Sequence, residues 1–263
     1  MRLFAPLGRL LTIVTFSLGL LACTSAPTYN PSVFPFDINA DVLANANIKT
    51  VVIPHINLGA PSRSYLEKEA PRIDGHITQY LKENGYKVLP QREFKQHWNT
   101  AVRAYGNPVD TSTGKINMKT FAQIITSVRD QMRKSGKLDG FVFTDLLEVQ
   151  SSFSGGLKHL ARWDGVTRKP SLQGPGTGVT AGFDWYQQVS VASLQVNIYD
   201  IELQRVFTSR GGMDATDAID TRSSSGRFVR RRNILENKEY IREGIELAFH
   251  PFITMERWPG KPD

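Results

Sequence analysis

Ile48-Lys49-Thr50-Val51-Val52-Ile53-Pro54 is a short β-branched run stopped by a proline, the composition of a strand rather than a helix. After the Gly59-Ala60-Pro61-Ser62 turn the period changes. Ile73, Ile77, Tyr80 and Leu81 fall on one face of a helix, with Pro71 suited to its first turn and Gly85 to its end. Tyr86-Lys87-Val88-Leu89-Pro90 reads as a second short strand. Strand, helix and strand in this order make a β-α-β unit, which is parallel and right-handed in nearly all folds. That unit sets the expected class: α/β (α+β), a single mixed sheet with helices packed on it.

Downstream, Glu93 to Val102 reads as a short helix and Val109 to Lys115 as a polar connection. Phe121, Ile124, Ile125, Val128 and Met132 mark an amphipathic helix ending at Gly136. From Leu138 the pattern becomes extended, and Phe141 to Val149 is at first apolar on both faces, as in a central strand. Leu157 to Arg168 is expected to return as a neighbouring strand. Lys169 to Gly182 holds two prolines and four glycines and reads as a loop. Gln188 to Ile201 is the longest strand, with Ala192, Leu194, Val196 and Ile198 alternating, and Arg205 to Arg210 pairs with it. Gly211 to Asn233 is polar and rich in arginine. Ile234 to Phe249 is a closing helix with Ile241, Ile245 and Ala248 inward.

Ahead of this domain, Arg2 and Arg9 precede an uncharged apolar run, Leu10 to Leu21. The run is shorter than the roughly 20 residues that cross a bilayer and has the length of a signal-peptide core. Leu20-Leu21-Ala22-Cys23 follows, and Cys23 is the only cysteine. This tetrapeptide resembles the lipobox of bacterial lipoproteins, which implies cleavage before Cys23 and a diacylglyceryl anchor on its thiol. The expected division is a signal peptide over 1–22, a proline-containing tether over 23–47, a periplasmic α/β domain over 48–255 and a tail over 256–263. Phe34 and Phe36 are the tether residues expected to dock on the domain. Thr24 is not the aspartate that holds many such lipoproteins at the inner membrane, so the expected address is the periplasmic face of the outer membrane. Loss of Arg2 and Arg9 leaves 30 basic against 25 acidic residues, a net charge of +5. Behind a lipobox that balance points to an anionic membrane or polymer rather than nucleic acid.

Catalytic signatures are sparse. There is no His-Glu-x-x-His, no Walker loop and no Gly-x-Ser-x-Gly elbow. His55, His76, His97, His159 and His250 stand singly, without metal-ligand spacing, and no cofactor or metal is expected. Gly174-Pro175-Gly176-Thr177-Gly178 lacks the lysine and helix of a phosphate cradle. Asp145 lies within an apolar strand, either as a buried acid, or beyond the core edge, or paired with an arginine such as Arg162. Trp163, beside Arg162 and Asp164, together with Trp185 and Tyr186, could form an aromatic patch for a sugar or partner, or cap a core. Arg222, Arg227, Arg230, Arg231 and Arg232 make the densest positive run. Arg227, Arg230, Arg231 and Arg232 are the candidate contacts to an anionic surface or acidic partner; the alternative is a solvated loop.

Lys49-Thr50-Val51-Val52-Ile53-Pro54, Leu81, Asn84-Gly85-Tyr86-Lys87-Val88, Asp139-Gly140-Phe141-Val142 and Ser193 to Asp200 carry a resemblance. The order of elements is similar to the domain shared by the curli secretion-channel lipoprotein, the amino-terminal domain of the Tol-system propeller protein and the lipoprotein activators of penicillin-binding proteins. The resemblance covers Ile48 to about Phe252 and consists of fold signatures alone. It implies a module that binds proteins or assembles into rings, without enzymatic activity and compatible with a homo-oligomer. A lipid-anchored envelope binding or assembly module is the expectation. The alternative is an oligomeric outer-membrane export-channel subunit, which needs lipid-facing apolar bands of about 9–11 residues per strand. Leu157 to Asp164 interrupts such a band with charge. An enzyme acting on an envelope polymer would need an acid–base pair that the motifs do not supply.

Overall fold

The computed structural model describes residues 35–54, 64–110, 112–113, 115–134, 138–153, 159–176, 178–179, 181–222 and 226–255. The signal, the lipobox with Cys23, Phe34 and the tail lie outside them. The fold is mixed α/β, as the β-α-β opening implies.

Its centre is a pair of 13-residue strands, β4 (Gly140–Ser152) and β8 (Gln188–Asp200), antiparallel along their whole length from Gly140↔Asp200 to Ser152↔Gln188. β2 (Thr50–Val52) lies parallel to the start of β4, at Gly140 and Phe141, and β3 (Lys87–Val88) lies parallel to β2. β9 (Arg205–Ala215) pairs with the other side of β8. The strand at the N-terminal edge is β1 (Phe36–Ile38), antiparallel to Phe207–Ser209, which completes the order β1-β9-β8-β4-β2-β3.

Alternation along these strands divides the core between two faces. Val142, Leu146, Leu194, Val196, Ile198 and Phe207 point to one face. There they meet α3 (Ala70–Glu83), through Ile73, Ile77, Tyr80 and Leu81, and α6 (Lys238–Phe249), through Ile241, Ile245 and Ala248. Asn237 starts α6 by accepting from the Glu239 and Tyr240 amides. On the opposite face, Phe141 and Phe143 lie under an antiparallel helix pair, α4 (Gln91–Tyr105) and α5 (Met118–Lys134). Phe94, Ile124, Val128 and Met132 fill that second layer. Emptying it at Phe141, which is fully buried, would cost about 3–5 kcal/mol.

Four segments differ from the sequence expectation. The tether expected over 23–47 is structured from Phe36 onward, as β1 and then α1 (Ala40–Ala46), capped by Asn39. Phe36, Val42, Leu43 and Ala46 pack on the main core; a three-residue strand and a two-turn helix are too short to show a period. Leu157 to Arg168 does not return as one strand. Ala161–Trp163 (β5) and Val166–Arg168 (β6) form a separate hairpin. Its turn is Asp164-Gly165, both at positive φ (36° and 86°), the dipeptide and geometry of a tight two-residue hairpin. The Gly/Pro loop contains β7 (Leu172–Gln173), and the arginine-rich stretch contains β10 (Asp217–Asp220) and β11 (Phe228–Arg230). These three make a sheet of order β11-β10-β7. A short helix, α2 (Ser64–Glu67), completes the elements.

Candidate partner-binding lobe

Beyond Phe141, β4 and β8 run on past the α4–α5 layer, and the smaller elements gather around their far ends. Val149, Phe153, Val189, Val191 and Ala215 supply a third apolar cluster, closed by Ala161, Trp163 and Val166 of the hairpin. A register shift between Val191 and Ser193 interrupts the β8–β9 ladder. The Ala192 carbonyl there accepts from Trp163 Nε1 at 3.2 Å, so the indole satisfies a group at the bulge. The hairpin also needs Gly212: a Cβ at that position would lie 2.7 Å from the Trp163 carbonyl oxygen. The Gly212 amide instead donates to the Asp164 carbonyl at 2.7 Å, and Asp164 accepts from the Ser193 hydroxyl at 2.6 Å. Arg168, almost fully buried, fastens the hairpin to α6. Its Nε donates to the Met213 carbonyl, its Nη2 lies 2.7 Å from Glu243, and its guanidinium sits 3.8 Å over the Tyr240 ring.

The arginine run divides when it folds. Arg230 reaches Glu148 on β4 at 2.6 Å, Tyr65 Oη on α2 at 2.9 Å and Thr216 Oγ1 at 2.6 Å, and its plane covers the Tyr65 ring. Burial pushes the Tyr65 hydroxyl up to about 12, reinforced by its hydrogen bond to Glu148. Burial alone would raise Glu148 as well, but the hydrogen bonds from Tyr65 and Arg230 outweigh it and hold the carboxyl below its ordinary value. Arg231 reaches Asp214 and the Ala215 carbonyl, each at 2.7 Å. Arg222 reaches Asp220 at 2.7 Å, and that hydrogen bond lowers the Asp220 pKa. Arg230 and Arg231 are thus engaged by acids of their own chain, where the sequence reading assigns them to an anionic surface or partner. A buried carboxylate such as Asp214 or Asp220 needs a paired cation, and the arginines supply it. Arg227 and Arg232 are the two candidates that no described carboxylate engages, and both are exposed; the Arg232 amide donates to Gln173 Oε1.

The aromatic candidates also separate. Trp163 is in the core. Trp185 is half-buried, stacked on His159 with ring centroids 3.5 Å apart and edge-on to Phe153 and Phe183. Only Tyr186, at 80% exposure, stands clear of the surface. Asp145 is exposed on β4 rather than buried. His250 is buried and its pKa is lowered by burial to about 4, with Nδ1 accepting from the Met255 amide. Residues 174–178 hold no helix start among the described positions, and Gly176 instead binds Thr221 Oγ1.

At the extreme end of β4 and β8 lies a cleft of about 640 Å³, lined by Gln150, Ser151, Ser152, Leu160, Arg162 and Gln188. Two amides, two hydroxyls and a guanidinium face it without a carboxylate among the described lining. No side-chain hydrogen bond or ion pair holds Arg162 within the described residues; only its carbonyl is engaged, accepting from Ser151 Oγ. Sequence reasoning placed Arg162 beside the aromatics but did not single out the glutamine and serine positions. The signal available was the change from apolar to Gln-Ser-Ser at the end of the β4 run. Among the described residues no group of three or more His, Cys, Asp or Glu could hold a metal ion, and no helix is long and apolar enough to cross a membrane. Comparison with known proteins finds no family model, no curated protein and no solved structure that matches the chain.

Proposed function

We propose that the chain is a lipid-anchored binding or assembly module of the bacterial cell envelope, tethered by Cys23 at the periplasmic face of the outer membrane. The lipobox resemblance supplies the address, and the far end of β4 and β8 supplies the binding end. One observation carries the second part. In a lobe where Arg168, Arg222, Arg230 and Arg231 are all engaged by carboxylates, Arg162 faces a polar cleft without one. An arginine fork in such a setting suits a carboxylate or phosphate of a partner, and Tyr186, two residues before Gln188 and 80% exposed, offers an aromatic anchor.

The test is photocrosslinking in growing cells from a reactive amino acid placed at Gln150, at Gln188 or, as a reference, at Gln79 on α3. The reading predicts adducts to one common envelope component from the first two positions and none from Gln79. Equal labelling from all three, or none from the lobe, contradicts it.

A further inference from the structure

Most of the arginine run is paired within the fold, which leaves open where the net positive charge of the domain resides. It resides on the helix pair that covers Phe141. Residues 91–134 contain Arg92, Lys95, Arg103, Lys115, Lys119, Arg129, Arg133 and Lys134 against Glu93, Asp110 and Asp130. Eight cations against three acids give this hairpin +5, the whole excess of the chain from Cys23 onward.

Little of that charge is neutralised locally. Arg129 pairs with Asp130 and Arg133 with Glu202. Asp110 spends its carboxylate on the Ser112 and Thr113 amides and the Ser112 hydroxyl, which draws its pKa down to about 2. Arg92, Lys95, Arg103, Lys115, Lys119 and Lys134 are exposed, and no described carboxylate pairs with them. Three of the six converge at one end. The loop between the helices is closed by the Val109↔Ile116 bridge and by hydrogen bonds from Asp110 to Lys115 and from Asn117 to Pro108. It therefore places Arg103 of the last turn of α4, Lys115 and Lys119 at the same end of the hairpin. Tyr105, at 47% exposure, and Met118, at 66%, stand at the same end.

We propose that this end of the α4–α5 hairpin docks on an anionic phospholipid surface. Lysine and arginine near such a surface each contribute attraction that falls off within a Debye length, and Tyr105 and Met118 can enter the interfacial layer. The reach is adequate: Phe36 lies thirteen positions after Cys23, a span of at most about 45 Å when extended. Only the orienting role of the hairpin rests on the anchored reading. Surface affinity does not, so the two can fail separately.

The experiment uses the chain from Thr24 onward, which keeps every described residue and carries no lipid. It is mixed with vesicles of phosphatidylglycerol and phosphatidylethanolamine, or of phosphatidylcholine alone, and sedimented at low and high salt. Binding is expected to the anionic vesicles only, and to fall with salt. Changing Arg103, Lys115 and Lys119 together to Gln should weaken it roughly five-fold per charge, on the order of a hundred-fold in all. These side chains are exposed and no described carboxylate pairs with them, so the melting curve should not move. Absence of binding by the parent, equal binding to phosphatidylcholine, or undiminished binding by the triple variant overturns the proposal. Binding to a soluble polyanion without binding to vesicles also overturns it, in favour of a polymer partner.

Discussion

Two basic regions of this molecule have opposite fates. Between Arg222 and Arg232 three of five arginines, Arg222, Arg230 and Arg231, are held by acids of the fold, whereas the helix pair of residues 91–134 keeps most of its cations in water. The difference lies in what surrounds each. Asp214, Asp217 and Asp220 occupy β9 and β10, and Glu148 projects from β4 within reach of Arg230. Removing Arg231 would strand a carboxylate, Asp214, whose side chain is 6% exposed. The hairpin instead sets its cations on the solvent side of amphipathic helices, where its three acids are too few to pair them. Density of charge in a sequence does not distinguish the two cases; the spacing of opposite charge along strands does.

Substitutions can sharpen this contrast, beginning with the largest expected effect. Arg231→Gln should destabilise the fold by about 3 kcal/mol, because it leaves a buried acid without its cation. In a domain of this size that lowers Tm by about 6–12 °C. A melt unchanged by Arg231→Gln would break the comparison at its strongest point.

Arg230→Gln should cost less, about 2 kcal/mol, since the guanidinium is partly exposed and water can replace some of its bonds. This variant should also change the pH dependence. Glu148 is depressed in the folded state, so its contribution is complete above its unfolded value and is lost as pH falls through the folded one. With Arg230 gone, loss of stability below about pH 4.5 should flatten relative to the parent. His250 adds a slope in both proteins. Its folded pKa of about 4 lies below the usual 6.5, so the unfolded chain binds the extra proton and stability falls as pH drops from 6.5 toward 4. That slope should be worth about 3 kcal/mol in all, and chemical denaturation at pH 7, 5.5 and 4 measures it.

The triple change of Arg103, Lys115 and Lys119 should leave stability within about 0.5 kcal/mol of the parent, while vesicle binding drops. Smallest of all, Arg227→Gln with Arg232→Gln should alter neither the melt nor the binding. A fall in vesicle binding for that pair would return the surface role to the arginine run.

The long elements were legible because each repeats its period often enough. Four apolar positions mark α3, five mark α5, and alternation runs the length of β8. What escaped were short or polar elements. Phe36–Ile38 and Leu172–Gln173 offer too few residues to alternate, and β10 and β11 lie among arginines and aspartates that read as solvated. The Asp164-Gly165 hairpin did carry a local signal, obscured by reading Leu157 to Arg168 as one strand. At the candidate site, Arg162 and Tyr186 were visible as residue types. That Trp163 is a core residue, and that Arg230 reaches across to β4 and α2, depends on pairings 29, 82 and 165 residues apart, which no local pattern encodes.

An orienting contact between hairpin and membrane has meaning only on a chain held at a surface, and that rests on Cys23. Mass spectrometry of the N-terminal peptide, isolated from the bacterial outer-membrane fraction, tests it directly. The account predicts a peptide that begins at Cys23 and carries the mass of a diacylglyceryl group. A peptide beginning elsewhere, or an unmodified cysteine, would contradict it.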